Sequence, residues 1–505
     1  MNIVIVGGGT AGWLSALFLA KVKPYHTITV IESSKEGIIG VGESSTGALL
    51  DVVTNAIWDF GCDPIEFMRE TGATLKYGIK FTGWTPDPKQ YYYGPIDGSS
   101  TGRGIPDGIF GYGLDNFREK LHLSTLFGNM IEHNIAPISR NTNKFTTDTH
   151  ALHFNTFLVG NYFKKICLAT GRVRHIDAKI NQVNISEAGM IKSVTLENSQ
   201  TIDGEFFIDA SGFKRLLMSE LDNKWIDYKQ HLPVNSALPF FLKYKEGETP
   251  YPYTHSWAQG AGWMWQIPLQ ERQGCGYIFS DDFITPDQAH AEIEQTLGQE
   301  VEITQHIKFN SGRLENVWVN NCLAVGLSSA FTEPLEATSV HSIIIQMLNF
   351  VFEYMKPTVE ETINPACIRH YNMRTGKMYD DFKDFLVGHY LGGRTDTEFW
   401  RHITAGKTLT PFTETIVEMC KTRMPTQNDF HEYPGAAGWH LWQFVLAGIG
   451  KFPPGVGINS LDNFLVNDSV DKINEIQRTT ERMLAENYSY SEFNNLIKNP
   501  SLRYF

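Results

Sequence analysis

A glycine cluster near the amino terminus is the first feature with chemical potential. The run Gly7-Gly8-Gly9-Thr10-Ala11-Gly12 fits the pattern G-x-G-x-x-G. In this pattern the first glycine permits a turn, the second lets a pyrophosphate approach the backbone, and the third brings helix and strand together. The following helix offers N–H donors and a partial positive charge to phosphates. Glu32, placed at the end of the next strand, can accept a ribose hydroxyl and repel a 2′-phosphate.

A second chemical feature is a pair of tryptophans. The segment Gly262-Trp263-Met264-Trp265-Gln266-Ile267-Pro268 alternates like a strand, which puts Trp263 and Trp265 on one face. Taken alone, this pair is interpreted more simply as two core aromatics than as part of a site.

The elements around the glycine cluster form a βαβ unit. Residues 3–6 are an apolar strand, residues 10–22 have helical spacing, and residues 27–31 are a β-branched strand. Two later strands end in small-residue turns, at residues 208–212 and 324–328, and we expect both to return to the same sheet. Gly326 and Leu327 would then line the cofactor. A single fingerprint in a long, interrupted domain favours FAD over NAD.

Composition excludes several classes of function. The 505 residues carry a net charge of 43 − 56 = −13 without a basic run, which argues against nucleic-acid or membrane partners. No apolar stretch reaches the ~18 residues that a membrane-spanning helix needs. The six scattered cysteines lack metal-ligand spacing, so we expect reduced thiols, no metal site and a cytoplasmic location.

The domain organisation follows from these patterns. We expect residues 1–350 to hold an interrupted FAD-binding core, in segments of about 1–80, 150–215 and 310–350. Substrate-side strands would be inserted at about 81–110 and 225–310, and residues 351–505 would form a mainly helical region that covers the substrate. Helices are predicted at residues 146–171 and from about Thr338.

The motifs, in their order, resemble the flavin-dependent halogenases of the tryptophan-halogenase type. In that family W-x-W-x-I-P follows a flavin fingerprint, as it does here. Three further segments are similar to family motifs: Gly42-Glu43-Ser44-Ser45-Thr46 to the flavin-side region, Gly78-Ile79-Lys80-Phe81 to the segment with the catalytic lysine, and Phe331-Thr332-Glu333-Pro334-Leu335-Glu336 to the P-L-E segment. The resemblance implies an α/β fold with a Rossmann-like FAD-binding domain of the glutathione-reductase/hydroxylase type and a mixed substrate-side sheet.

The resemblance also implies the chemistry. Reduced FAD and O2 would oxidise a halide to hypohalous acid, which passes through an internal tunnel to an aromatic substrate. Lys80 would hold the oxidant by hydrogen bonding or as a haloamine, and Glu336 would polarise it or accept the arene proton. Trp263 and Trp265 would wall the flavin from the substrate.

The cofactor contacts implied by the resemblance come from the glycine cluster and three other places. The flavin would be contacted by Gly7, Gly9, Thr10, Ala11, Gly12, Glu32, Gly42, Glu43, Ser44, Ser45, Gly326 and Leu327. The halide would be bound by backbone N–H groups of Thr338 and Ser339.

Two departures from the family pattern modify these expectations. The family commonly reads P-L-E-S-T-G where this chain has P-L-E-A-T-S. Because serine restricts a backbone that glycine leaves free, we expect bromide or iodide to be preferred over chloride. The segment at residues 430–442 is short and rich in small residues, which predicts a broad-substrate enzyme for indoles, phenols and anilines, with free tryptophan a poor substrate.

Two other functions stay open. A flavin monooxygenase that hydroxylates an aromatic substrate shares the fold, and a non-catalytic FAD-binding module would need neither Lys80 nor Glu336. The sequence shows no NAD(P)H site, so a separate flavin reductase is expected to supply FADH2 by diffusion.

Overall fold

The computed structural model describes residues 1–37, 43–96, 108–147, 150–430 and 437–504. Its strands, in chain order, are β1 (Asn2–Val6), β2 (Thr27–Glu32), β3 (Glu43–Ser44), β4 (Thr74–Lys76), β5 (Gly78–Thr82), β6 (Tyr91–Pro95), β7 (Ile135–Ser139), β8 (Ala151–Phe154), β9 (Val173–Asp177), β10 (Ile180–Ile185), β11 (Ile191–Leu196), β12 (Thr201–Asp203), β13 (Phe206–Asp209), β14 (Trp225–Asp227), β15 (Ser236–Lys243), β16 (Tyr253–Gln259), β17 (Gly262–Pro268), β18 (Arg272–Phe279), β19 (Ile307–Lys308), β20 (Gly312–Leu314), β21 (Trp318–Val319), β22 (Cys322–Ala324), β23 (Ala330–Phe331) and β24 (Asn487–Ser489).

The helices lie mostly in the last third of the chain. They are α1 (Thr10–Val22), α2 (Gly47–Val53), α3 (Pro64–Thr71), α4 (Ile109–Asn116), α5 (Leu126–Glu132), α6 (Thr156–Ala169), α7 (Pro286–Leu297), α8 (Thr338–Asn349), α9 (Val359–Thr362), α10 (Pro365–His389), α11 (Glu398–Thr404), α12 (Pro411–Met419), α13 (Trp439–Gly448), α14 (Val456–Asn459), α15 (Asn463–Glu486) and α16 (Phe493–Leu496). The described residues contain no helix that is both long and apolar enough to cross a membrane.

A six-stranded sheet forms the nucleotide-binding half, in the order β21-β22-β13-β1-β2-β9. All its neighbouring strands are parallel except the pair β21–β22. The apolar residues 3–6 of β1 are buried, as expected for a strand covered on both faces. The predicted return of two later strands is confirmed, because β13 pairs with β1 and β22 pairs with β13. The predicted α/β class is confirmed.

A seven-stranded sheet forms the other half, in the order β19-β15-β18-β17-β16-β5-β6. It is antiparallel except where β16 pairs with β5. The two faces of β17 enter different cores: Trp263 and Trp265 pack with the carboxy-terminal helices, and Met264 packs with Phe240 and Tyr277. The predicted placement of both tryptophans on one face is therefore confirmed.

One predicted helix is wrong at its start. The helical prediction began at residue 146, but residues 151–154 form β8, which pairs with β3 and β4 in a small third sheet. Helix α6 begins only at Thr156, where the Asn155 side chain accepts a hydrogen bond from the N–H of Phe157. Pairing with strands distant in sequence overrides the local helical spacing here. The helix predicted from about Thr338 is confirmed as α8.

Candidate active site

The turn between β1 and α1 requires glycine at two positions. Gly7 has φ +115°, and a Cβ there would lie 2.2 Å from the carbonyl oxygen of Ala210. A Cβ on Gly12 would lie 1.9 Å from the carbonyl oxygen of Gly7. These contacts hold the turn against β13 and bring α1 close to β1, as the fingerprint predicts.

The first turn of α1 has the features of an anion site. Gly9 precedes the helix and provides no side-chain cap, and a Cβ placed on it would meet open space. The hydroxyl of Thr10 is buried and has no hydrogen-bond partner within the described part of the chain. Free N–H groups, an unpaired hydroxyl and open space at a helix amino terminus fit the diphosphate of a dinucleotide.

Glu32 is held at the end of β2 by two basic side chains. Its Oε1 lies 2.7 Å from Nζ of Lys164 and 2.8 Å from Nε2 of His175. Its Oε2 faces the glycine loop, since a Cβ added to Gly8 would lie 1.5 Å from it. The carboxylate therefore stands beside the loop in a fixed orientation that suits a ribose hydroxyl.

Asp209, the last residue of β13, is hydrogen-bonded to two neighbouring loops. Its Oδ1 accepts hydrogen bonds from the backbone N–H of Ser211 (3.0 Å) and the hydroxyl of Ser328 (3.0 Å), and its Oδ2 accepts from the N–H groups of Leu217 and Met218 (2.8 and 2.9 Å). Sequence reasoning gave this residue no role. Its signal is a buried acid that ends an apolar strand.

The loop at Gly326 and Leu327 lies against the start of α1. Gly326 has φ +62°, and a Cβ there would lie 2.8 Å from Cβ of Ala11. Ser328, the residue after Leu327, donates a hydrogen bond to Asp209 at the end of β13. This bond brings the loop and the end of β13 beside the glycine turn. Together these residues fit an extended dinucleotide.

The flavin-side segment is partly outside the described residues. Gly42 is not described, and the backbone of Glu43 lies in β3, which pairs with β8. The hydroxyl of Ser45 is committed to the backbone of Leu152, at 2.9 Å to the carbonyl oxygen and 3.0 Å from the N–H group. The hydroxyl of Thr254 donates to that of Ser44 (3.2 Å).

Lys80 lies on the opposite face of β5 from Glu336. Its Nζ is 4.5 Å from the ring centroid of Tyr91 and 5.9 Å from that of Tyr93. The next side chain, Phe81, points to the other face, where its ring centroid is 5.3 Å from that of His389. Nε2 of His389 in turn lies 2.7 Å from Oε1 of Glu336. The amine of Lys80 and the carboxyl group of Glu336, both expected at the site, therefore lie on opposite faces of β5.

The lysine close to Glu336 is Lys76, at the end of β4. Its side chain is buried, and Nζ donates a hydrogen bond to the carbonyl oxygen of Ser45 (3.2 Å). Burial lowers the pKa of Lys76 to about 8, and the negative charge of Glu336 acts in the opposite direction. A buried amine with a depressed pKa, within electrostatic range of a carboxylate, has the properties that were expected of Lys80.

Glu336 is positioned by a 3-10 turn that leads directly into helix α8. Glu336 ends a 3-10 turn over Pro334–Glu336, and Ala337 follows in the left-handed conformation, with φ +57°. Thr338 and Ser339 open α8, whose first turn has no side-chain cap among the described residues. The first N–H groups of a helix have no partner within the helix, so the predicted halide contacts of Thr338 and Ser339 stay a prediction at this helix start. The left-handed residue of this turn is Ala337 and Ser339 is helical, so serine at 339 does not restrict the backbone as expected.

The two tryptophans are buried side by side. Their ring centroids are 6.3 Å apart with an interplanar angle of 62°. Gly276 on β18 makes room for Trp265, because a Cβ there would lie 2.1 Å from the indole. The indole N–H of Trp263 donates to Oε2 of Glu333 (2.7 Å). Residues 431–436 of the short segment at 430–442 lie outside the described residues.

Comparison with known proteins identifies the family. The tryptophan halogenase family model matches residues 2–456. The chain is 29% identical to tryptophan 7-halogenase RebH of Lentzea aerocolonigenes over 96% of both proteins, and 31% identical to tryptophan 6-halogenase ThaL of Streptomyces albogriseolus over 79% of this chain and 78% of that one.

Solved structures agree with this assignment. The tryptophan 6-halogenase SttH of Streptomyces toxytricini superimposes with a TM-score of 0.86 at 26% identity, over 98% of this chain and 99% of that one. A tryptophan halogenase from Shewanella frigidimarina shares the fold with a TM-score of 0.89 at 23% identity, over 100% of this chain and 99% of that one. With the glycine loop, the buried lysine and the acidic turn in place, the chain belongs to the tryptophan halogenase family and is a flavin-dependent halogenase.

Proposed function

We propose that the enzyme halogenates electron-rich aromatic compounds at an internal site built around Lys76 and Glu336. The observation that carries this proposal is the burial of the Lys76 amine within electrostatic range of Glu336. When bound, FADH2 would donate two electrons to O2, and the activated oxygen would be the oxidant that converts a halide to hypohalous acid. The amine then holds that acid by a hydrogen bond, or exchanges with it to give a haloamine and water.

Glu336 serves the second half of the reaction. When the arene takes the halogen from Lys76, a positive charge develops on its ring and a proton must leave. Glu336 neutralises that charge and accepts the proton, and His389, fully buried and hydrogen-bonded to its Oε1, fixes the carboxylate. The back of the imidazole is anchored as well, because Nδ1 of His389 lies 2.9 Å from the carbonyl oxygen of Phe385.

The two neighbouring lysines provide the test and its matched control. Lys76→Ala removes the buried amine, whereas Lys80→Ala removes an amine on the face of β5 that points away from Glu336. We expect Lys76→Ala to lower halogenation by roughly 10²- to 10⁴-fold and to leave oxidation of FADH2 intact. Lys80→Ala should keep most of its halogenation activity. Loss of activity in Lys80→Ala alone would return the role to Lys80.

Aromatic side chains around His389 support an aromatic substrate. The ring centroid of Phe385 lies 4.7 Å from that of His389 and 5.2 Å from that of Trp442. Phe81 stacks on Tyr92 with a centroid distance of 4.8 Å. The hydroxyl of Tyr92 and the indole N–H of Trp442 are buried without hydrogen-bond partners in the described structure. The Tyr92 hydroxyl can accept a hydrogen bond from the N–H or O–H group of an indole, a phenol or an aniline. As a separate part of the proposal, we expect free tryptophan to be a poor substrate.

A single reaction separates this proposal from its alternatives. The enzyme is given FADH2, O2, bromide and indole, and the products are identified by mass. Bromoindole supports halogenation, hydroxyindole would indicate a monooxygenase, and unchanged indole with bound FAD would indicate a binding module. Regiospecific, tight conversion of free tryptophan would contradict the proposed substrate breadth.

Preference for bromide or iodide stays part of the proposal. The backbone of Ser339 is ordinary helix and gives no support for this preference. The remaining support is that bromide and iodide are oxidised more readily than chloride. With equal concentrations of the three halides, we expect brominated and iodinated products to dominate. A dominant chlorinated product would overturn the preference.

The cellular setting is proposed on similar grounds. A separate flavin reductase would deliver FADH2 by diffusion, because the sequence carries one dinucleotide fingerprint. All six cysteines are free thiols, five of them buried, which supports the reducing cytoplasm.

A further inference from the structure

A buried carboxyl group next to the proposed site has no role in the chemistry described so far. Glu333 lies between β23 and the turn that carries Glu336, and its side chain is fully buried. Its Oε2 accepts two hydrogen bonds, from the indole N–H of Trp263 (2.7 Å) and the hydroxyl of Tyr390 (2.6 Å). Its Oε1 is also buried and has no hydrogen-bond partner among the described residues.

The position of Glu333 connects three parts of the molecule. Trp263 is on β17 of the seven-stranded sheet, and Tyr390 directly follows α10. Tyr390 directly follows His389 in the chain, and His389 is hydrogen-bonded to Glu336. Glu336 is itself only three positions after Glu333. A single carboxyl oxygen therefore ties the tryptophan pair to the segment that holds Glu336.

A carboxyl group is a costly choice for this place. Burial raises the pKa of Glu333 to about 7, although both donors and the nearby His389 act in the opposite direction. An apolar side chain of similar volume would fill the space without that cost. It would also leave the buried donors of Trp263 and Tyr390 unpaired, so both rings would turn to find other acceptors.

We propose that Glu333 is a positioning residue: it fixes the indole of Trp263 and the ring of Tyr390 so that the tryptophan pair closes the direct route between flavin and substrate. The oxidant is then delivered to Lys76 and does not escape into the solvent. This inference rests on the proposed function, because it assumes that a freely diffusing hypohalous acid is made inside the protein.

The partition of the oxidant tests the proposal. For each variant, the halogenated indole and the oxidant caught by an external hypohalite scavenger are both measured per FADH2 consumed. Glu333→Leu removes the acceptor at similar volume, and we expect the escaping fraction to rise roughly three- to tenfold while FADH2 oxidation is unchanged. Glu333→Gln keeps an oxygen acceptor for both donors, and it should partition the oxidant like the wild type.

Other outcomes have defined meanings. A folded Glu333→Leu protein with wild-type partition would overturn the positioning role, as would equal leakage from Glu333→Gln and Glu333→Leu. Trp263→Phe serves if Glu333→Leu does not fold, because phenylalanine keeps an apolar ring and lacks the N–H donor; wild-type partition in that variant would also overturn the role. A wild-type enzyme that forms no halogenated product would refute the proposed function instead, before any variant is compared.

Discussion

At the scale of single residues, the proposed chemistry depends on which of two lysines lies within electrostatic range of Glu336. Lys76 and Lys80 are four positions apart, so one continuous strand would point both to the same face. The structure breaks the run at Tyr77: β4 belongs to the small sheet with β3 and β8, and β5 belongs to the seven-stranded sheet. Local sequence shows no trace of this change, and Lys80 was selected only because its segment resembles a family motif.

The pKa of Lys76 gives a prediction for the pH dependence. Burial lowers it to about 8, so the neutral amine increases as the pH rises through that value. If the amine forms a haloamine, we expect the single-turnover rate of halogenation to rise from pH 7, to reach half of its maximum near pH 8, and to level off about one pH unit above that. This rate is measured by mixing a preformed complex of the enzyme and FADH2 with O2, halide and substrate, and stopping the reaction within a single turnover. A rate that falls over the same interval would show that protonated Lys76 acts, by donating a hydrogen bond.

At the scale of elements, the start of α8 shows what a pattern can predict. Helical spacing located the first residue of this helix correctly, at Thr338. It did not show that the residue before it, Ala337, is left-handed, because that conformation is set by the turn that holds Glu336 and by the packing of α8. Strain was therefore expected at Ser339, two residues too late.

Ala337→Gly tests that strain. A left-handed alanine costs roughly 1–2 kcal/mol, which glycine avoids, although glycine also gains entropy in the unfolded chain. We expect Ala337→Gly to change the free energy of unfolding by less than about 1 kcal/mol, or to raise it. The control is Ala291→Gly, in the exposed interior of α7, which should lose about 1 kcal/mol. Urea denaturation measures both, and equal losses would show that Ala337 is unstrained in solution.

At the scale of the whole molecule, distant segments build each half of the enzyme. The meeting of β1, β13 and β22 was predictable, since each is a short apolar strand that ends in small residues. The partners of β5 were not, because its pairing with β16 joins residues far apart in the chain and leaves no periodic signal. The same holds for Glu333, Asp209 and His389, whose roles come from contacts across the fold. The predicted domain boundaries stay predictions.

Asp209 is expected to hold the nucleotide-binding half together. Asp209→Ala leaves several buried donors unpaired around the ends of β13 and β22. We expect a loss of roughly 3 kcal/mol in the free energy of unfolding and weaker binding of FAD. Thermal unfolding and fluorescence titration with FAD measure the two effects. Asp222→Ala, at an exposed position, is the control and should change neither; a stable Asp209→Ala protein with normal FAD affinity would contradict the role.

The break at Tyr77 also bears on how such an enzyme can be altered. The amine that we propose to be reactive, on Lys76, belongs to the small sheet, whereas Phe81 and Tyr92 lie on β5 and β6 of the seven-stranded sheet. Because those strands lie in a different sheet from Lys76, we expect changes to their rings to shift the backbone that carries the amine only slightly. We therefore expect that the choice of arene and the delivery of halogen can be altered separately, because the residues for each lie on opposite sides of Tyr77.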